Sequence, residues 1–155
     1  MVHGDNSGLV LPPRIAPTQV MVIPIAQHKE GVLDKAYAIR DELIQAGFKV
    51  KVDESDKSPG WKFSEQEMKG IPVRIEIGPK DIEAGQAVIV RRDTREKIVT
   101  ALENLSAKLA QVLDTMQKEM LERARAHRDS HTYDVQTYEE FVKTCLLYTS
   151  DAADE

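Results

Sequence analysis

The stretch that decides the fold covers residues 59–81 and reads PGWKFSEQEMKGIPVRIEIGPKD. It predicts a short helix, a tight turn, one alternating strand over 73–77 and a Gly-Pro stop. Side chains of a strand alternate between the two faces of its sheet, so Arg74 and Glu76 share one face and the apolar side chains share the other. The apolar face suits a buried core, and we therefore expect Arg74 to stand clear of that core.

The rest of the chain alternates between predicted strands and helices. Strands are predicted at residues 9–11, 20–25, 48–52, 73–77, 86–91 and 97–101, and helices at residues 31–46, 59–69 and from 102 onward. The last helix is long and amphipathic, and its Met116 and Met120 are expected to pack in the core. This order indicates an α/β fold in which residues 19–125 form one five-stranded mixed sheet flanked by three helices.

Composition excludes several classes of protein. The chain has 155 residues, of which 41% are hydrophobic and 30% charged, so a folded domain is expected rather than disorder. A net charge of −5 argues against a broad, non-specific nucleic-acid surface, but reading a few RNA bases needs placed groups rather than a basic surface. No secretory signal and no apolar run of membrane-spanning length are visible. The single cysteine fits a reducing compartment.

Two segments share their motifs with a known family. Residues 8–25 read GLVLPPRIAPTQVMVIPI, and residues 57–93 read KSPGWKFSEQEMKGIPVRIEIGPKDIEAGQAVIVRRD. Together they resemble the anticodon-binding domain of the prolyl-tRNA synthetases, of the type with a C-terminal extension, and the resemblance runs from about Gly4 to Thr144. It implies the fold of a class II synthetase anticodon-binding domain.

The resemblance assigns base-reading roles to Glu67, Arg74, Lys80 and Asp81. Proline codons begin with two cytosines, so proline tRNAs have guanine at the second and third anticodon positions. Guanine offers O6 and N7 as acceptors, which suit arginine or lysine, and N1–H and the 2-amino group as donors, which suit a carboxylate. The alternative is a surface ion-pair network around one strand, which would stabilise the fold only weakly.

The resemblance also implies a role for Arg14. In that family the corresponding arginine belongs to the third class II motif and contacts the triphosphate of ATP, and a guanidinium is a permanent planar fork for phosphate oxygens. A surface arginine after Pro-Pro is the alternative. The rest of the catalytic domain has no counterpart in this chain, so we expect Arg14 to lack an ATP site here.

We expect four segments along the chain. Residues 1–18 would be the end of a catalytic domain, 19–125 the anticodon-binding domain and 126–144 the start of a C-terminal domain. Residues 145–155 resemble the translated sequencing-adapter tails of assembled genes, and we expect them to be a non-native tail, unstructured or loosely helical. Cys145 would then not be a native cysteine.

The implied function is the anticodon-recognition part of a cytoplasmic proline–tRNA ligase. The parent enzyme would use ATP with magnesium, proline and tRNA(Pro), act as a homodimer and have no membrane association, whereas this chain alone would bind no cofactor and have no ligase activity. One alternative is a stand-alone α/β module that binds tRNA or a partner protein. Another is a nucleotide-binding enzyme of flavodoxin-like layout, but no glycine-rich or hydroxyl-rich phosphate loop follows residues 20–25.

Three further residues are candidates for a binding site. His127 and His131 stand four residues apart, as metal ligands on a helix can, but no cysteine or suitably placed glutamate accompanies them, and we predict no metal site. The zinc-binding cysteines that some family members have in their C-terminal domain have no counterpart here. Trp61 could stack on a base or cap the core beside Phe63, and the sequence leaves both open.

Overall fold

The computed structural model describes residues 3–151, with side chains described through residue 146. This part of the chain separates into two compact units, the first ending at Glu119 and the second beginning at Met120. The first unit contains the sheet, and each unit is considered by itself below.

Seven strands and five α-helices form the described part of the chain. In chain order they are β1 (Gly4–Asp5), β2 (Gly8–Leu9), β3 (Val20–Pro24), α1 (Val32–Gln45), β4 (Val50–Val52), α2 (Pro59–Lys69), β5 (Val73–Ile77), α3 (Pro79–Glu83), β6 (Gln86–Arg91), β7 (Lys97–Ala101), α4 (Leu105–Ser130) and α5 (Tyr138–Asp151). A 3-10 turn over Leu102–Asn104 precedes α4.

The predicted five-stranded mixed sheet is confirmed. Its strand order is β4-β3-β5-β6-β7, in which β3 runs parallel to both β4 and β5, whereas β6 and β7 are antiparallel to their neighbours. All five residues of β3 are buried, as expected for a central strand with both faces covered. The alternation of β5 is also confirmed: Val73, Ile75 and Ile77 have no exposed surface.

The main core lies on one face of the sheet, under α1 and α4. Helical spacing places the apolar side chains of each helix on the face that packs on the strands. The buried helix residues of this core are Ala36, Ile39, Leu43, Leu105, Leu109, Val112 and Leu113. The prediction that Met116 is core is confirmed, since its side chain is fully buried, whereas Met120 is only partly buried.

The opposite face of the sheet is covered in part by α2. Met21 and Ile23 of β3 form a second, smaller apolar cluster with Ile71, and Phe63 of α2 packs against it. The same helix is anchored by the buried Lys62, whose ammonium donates to the side-chain oxygen of Gln27 at 2.9 Å and to the backbone oxygen of Asp53 at 3.0 Å. A buried ammonium with placed acceptors holds α2 over the carboxyl ends of β3 and β4.

The short helix α3 was not predicted, because a Gly-Pro pair was interpreted as a stop. Proline is well suited to the first position of a helix, where its missing N–H would have no partner. Here Pro79 begins α3, and the Asp81 carboxylate accepts a hydrogen bond from the backbone N–H of Gly78 at 2.9 Å. The motif GPKD therefore ends β5 and begins a helix at once, which adds a fourth helix to the three that were predicted around the sheet.

A small hairpin packs on the C-terminal end of α2. The strand predicted at Leu9–Leu11 is observed one residue earlier, as β2, and it pairs antiparallel with β1. Gly70 has a φ of 69° at the end of α2, and a Cβ atom built there would lie 2.5 Å from Leu9 Cβ. The backbones of the hairpin and the helix end are therefore too close for a side chain between them.

The second unit contains the end of α4 and the whole of α5. Helix α5 extends to Asp151, so residues 145–151 continue a helix that begins at Tyr138. Of the two states expected for the tail, unstructured or loosely helical, residues 145–151 have the helical one, and residues 152–155 lie outside the described residues. The non-native origin of this tail stays a prediction.

The close approach at Gly70 predicts a specific loss of stability. Gly47→Ala is the matched control, because Gly47 also has a positive φ (93°) after a helix but has open space around its Cβ position. The control should cost about 1–2 kcal/mol for left-handed strain alone. Gly70→Ala should cost about 1–3 kcal/mol more, the range for overpacking, in urea unfolding. Equal losses would contradict the close packing of the hairpin.

Candidate nucleic-acid interface

The alternation of β5 places Arg74 on the face covered by α2. Its guanidinium carbon lies 4.4 Å from the ring centre of Phe63, within range for a cation–π contact. Nη1 donates to a carboxylate oxygen of Glu67 at 2.9 Å, and Nε donates to a carboxylate oxygen of Glu76 at 2.9 Å. The guanidinium is therefore fixed on one face by an aromatic ring and along its edges by two carboxylates.

The expectation that Arg74 stands clear of the apolar core under α1 and α4 is confirmed, but the face of the sheet on which it lies is covered as well. Its side chain is 13% exposed, because α2 supplies Phe63 and Glu67 above this part of the sheet. Alternation predicts which face a residue occupies, but it does not predict what covers that face. Loss of Arg74 would leave the carboxylate of Glu76 buried without its main partner, which costs stability.

Glu67 lies in the last turns of α2 and is the more accessible of the two carboxylates. Its side chain is 22% exposed, against 8% for Glu76. One oxygen accepts from Arg74, and the other lies 3.8 Å from Nη2 of Arg95, whose side chain is 61% exposed. The carboxylate thus lies where the buried cluster meets solvent.

Glu76 and Arg92 also belong to this neighbourhood, and the sequence analysis assigned neither a role. Glu76 was recognisable from its position two residues after Arg74 on the same strand face. Arg92 had no such signal, because its partners are distant in sequence: Nε donates to the backbone oxygen of Glu67 at 2.9 Å, and the two Nη atoms donate to the carboxylate of Asp5 at 2.9 and 2.7 Å. Arg92 therefore links the hairpin to the turn of α2 that contains Glu67.

A small pocket opens between these groups. It is lined by Gln66, Glu67, Ile71, Arg74, Val90, Arg91 and Arg92. Its wall combines guanidinium donors, a carboxylate acceptor and apolar side chains. The lining of the pocket therefore contains both kinds of hydrogen-bond partner that a base edge requires.

Lys80 and Asp81 lie in α3, directly after β5. Among the described contacts, neither forms a hydrogen bond or ion pair with Glu67, Arg74 or Glu76. Asp81 caps its own helix through Gly78, and the Lys80 side chain is exposed to solvent. The structure thus brings Glu67 and Arg74 into direct contact and leaves Lys80 and Asp81 as a separate pair beyond the end of the strand.

Arg14 lies on the first unit but away from this cluster. Its side chain is 76% exposed, its Nη2 is 4.0 Å from a carboxylate oxygen of Asp114 and its backbone N–H donates to Gln117 at 3.1 Å. Within the described residues, no group of three or more acidic, histidine or cysteine side chains could hold a metal ion. One exposed arginine does not by itself constitute an ATP site, and the role of Arg14 toward ATP stays a prediction.

The remaining candidates are placed as follows. Trp61 is 46% exposed, and the ammonium of Lys57 lies 5.5 Å from its ring centre. Phe63 packs against the second apolar cluster, whereas the exposure of Trp61 favours base stacking over capping of the core, and the stacking stays a prediction. In the second unit the rings of His127 and His131 lie 4.1 Å apart, and Nδ1 of His131 is 2.7 Å from the backbone oxygen of His127.

Comparison with known proteins agrees with this architecture. The family model described as "Anticodon binding domain" matches residues 19–112, and the chain belongs to that family. The curated relatives include the proline–tRNA ligase of Lachnoclostridium phytofermentans, 70% identical over 142 residues, and that of Lachnospira eligens, 66% identical over 144 residues. The proline–tRNA ligase of Clostridium novyi is 62% identical over 141 residues. The resemblance drawn from the sequence motifs is therefore confirmed.

These relatives are much longer than the chain. The matches cover 91–93% of this chain but 29–30% of each relative's length. Among the described residues, no helix is both long and apolar enough to cross a bilayer.

The Asp5–Arg92 pair predicts a pH dependence of stability. The hydrogen bonds from Arg92 lower the pKa of Asp5 to about 2, from an ordinary value of 3.8. A carboxyl group with a lowered folded-state pKa stabilises the fold above its unfolded pKa, and that contribution is lost as the pH falls through the folded value. Wild type should therefore be more stable than Asp5→Asn at pH 7.

The difference between the two proteins should shrink as the pH falls from about 4 to 2, because protonated aspartate resembles asparagine. Urea unfolding at a series of pH values measures it. A difference that does not depend on pH would show that the charge of Asp5 contributes nothing.

Proposed function

We propose that this chain is the anticodon-recognition part of a proline–tRNA ligase and that its site reads guanine in the tRNA(Pro) anticodon. The observation that carries the proposal is the hydrogen bond between the guanidinium of Arg74 and the partly exposed carboxylate of Glu67, in an anticodon-binding domain. An arginine fork and a carboxylate are the two partners that complement the two edges of guanine.

Discrimination follows from the chemistry of the base edges. Arg74 donates to O6 and N7, and Glu67 accepts from N1–H and the 2-amino group. Adenine has an amino group where guanine has O6 and lacks the N1 proton, so it would place a donor against the guanidinium and an acceptor against the carboxylate. Lys80 and Asp81 would provide the same two kinds of group for the second guanine.

The activity of the whole enzyme is part of the same proposal. It would attach proline to tRNA(Pro) with ATP and magnesium, as a cytoplasmic homodimer, and Arg14 would contact ATP only within the complete catalytic domain. Residues 1–18 would belong to that domain, 19–125 to the anticodon-binding domain and 126–144 to a C-terminal domain. The names and the high identity of the relatives support this parentage over a stand-alone binding module.

The proposal is tested by replacing the planar fork with a point charge. Arg74→Lys keeps the positive charge between the two carboxylates but cannot donate two parallel hydrogen bonds to one base edge. It should weaken binding of a proline anticodon stem-loop by roughly 1–3 kcal/mol, the range for one bidentate base contact. A stem-loop with adenine in place of the guanine that Arg74 contacts should lose less, so the preference for guanine at that one anticodon position should fall.

Arg40→Lys is the matched control. Arg40 also lies over an aromatic ring, that of Tyr37 at 4.9 Å, and is paired with Asp41, but it belongs to α1 on the other side of the sheet. It should bind both stem-loops as wild type does. An unchanged guanine preference in Arg74→Lys would reject the assignment of this arginine, and equal weakening for all sequences would indicate a phosphate contact.

A further inference from the structure

We infer that Glu76 is a positioning residue for base reading, holding the Nε edge of Arg74 so that the remaining N–H groups of the arginine face the RNA. This inference rests on the proposed function. Glu76 follows Arg74 by two residues on β5, so alternation places both on the same face of the sheet. The Nε–oxygen distance of 2.9 Å is a charge-assisted hydrogen bond.

Some N–H donors of Arg74 bind the carboxylates that hold its side chain, and the others remain for the base. A guanidinium has five N–H groups. Glu76 takes the one on Nε and Glu67 takes one on Nη1, while Nη2 forms no hydrogen bond or ion pair within the described residues. The ring of Phe63 restrains the plane of the group. An arginine held in this way loses less conformational freedom when it binds a base than a free side chain would.

Glu76 is placed to hold the arginine rather than to contact the base. Its side chain is 8% exposed, and both carboxylate oxygens already face cations, one at Arg74 and the other 3.8 Å from Nζ of Lys97 on β7. Glu67 is more exposed and retains contact with solvent. The two carboxylates around Arg74 thus differ in role: the buried Glu76 positions the arginine, and the partly exposed Glu67 reads guanine.

A purely structural ion pair would be a weak reason for this arrangement. Replacing a buried pair by apolar side chains is often neutral or stabilising, so burial of the pair does not by itself account for the charges. Two carboxylates on separate edges do fix the direction of a planar cation. The position of the Glu76 carboxylate, rather than its charge, is therefore the property expected to matter for base reading.

Two substitutions at Glu76 separate the effect of side-chain length from the effect of charge. Glu76→Gln keeps the length and an acceptor for Nε–H but removes the charge. Glu76→Asp keeps the charge but is one methylene shorter. The measured quantity is the ratio of affinities for proline anticodon stem-loops with guanine and with adenine. We expect Gln to keep most of the wild-type ratio and Asp to lower it roughly 5- to 150-fold, the range of one bidentate base contact.

A role in overall electrostatics or stability would give the opposite order, with Asp near wild type and Gln impaired, and that order would overturn the inference. Glu103→Gln, an exposed charge removal on the turn before α4, should leave the ratio unchanged. The double variant Arg74→Lys/Glu76→Asp should have the same ratio as Arg74→Lys alone, because Glu76 acts through Arg74. Additive losses would also overturn the inference.

An NMR measurement on the RNA-free chain provides a readout that does not depend on binding. The Nε–H signal of Arg74 should move in Glu76→Gln, where the hydrogen bond loses its charge, and in Glu76→Asp, where the shorter side chain no longer reaches Nε, and a signal that is unchanged in both variants would reject the contact. If wild type shows no guanine preference, the proposed function and the inference both fail. If wild type prefers guanine and Glu76→Asp keeps the full preference, the inference alone fails.

Discussion

The alternation of a single strand, β5, is the constraint on which the rest of the structure depends. Its apolar side chains must enter the core under α1 and α4, so Arg74 and Glu76 must face the other way. That second face cannot remain bare, because it also presents the apolar side chains of β3. Helix α2 covers those side chains, and in doing so it brings a carboxylate and an aromatic ring to the arginine.

The site is therefore assembled by packing rather than by a single motif. Lys62 anchors α2 over the carboxyl ends of the parallel strands, and Arg92 attaches the far end of the helix to the hairpin through Asp5. Glu67 lies in the turn of α2 whose backbone Arg92 holds. A cluster of charges on a mildly acidic chain can therefore present placed donors and acceptors without a basic surface, and base reading as proposed would depend on their positions rather than on net charge.

The sequence predicts the sheet well, because period-two alternation and buried apolar runs are local signals. It does not predict the contacts of Arg92 with Asp5, since 87 residues separate the two. The helix α3 was missed because Gly-Pro fits a stop and a helix start equally well until the cap from Asp81 is seen. The candidate site residues follow from the resemblance, whereas the contact of Glu67 with Arg74 depends on the packing of α2.

The affinity for stem-loops with altered guanines tests the central claim most directly. Each altered base removes one hydrogen-bonding group of guanine and leaves the protein unchanged. Inosine lacks the 2-amino group that a carboxylate would accept from, and 7-deazaguanine lacks the N7 that an arginine would donate to. The account predicts that, at the second or third anticodon position, each substitution weakens binding by about 1.5–3 kcal/mol, the range for a hydrogen bond to a charged group. Equal affinity for guanine, inosine and 7-deazaguanine stem-loops would contradict base reading by this domain.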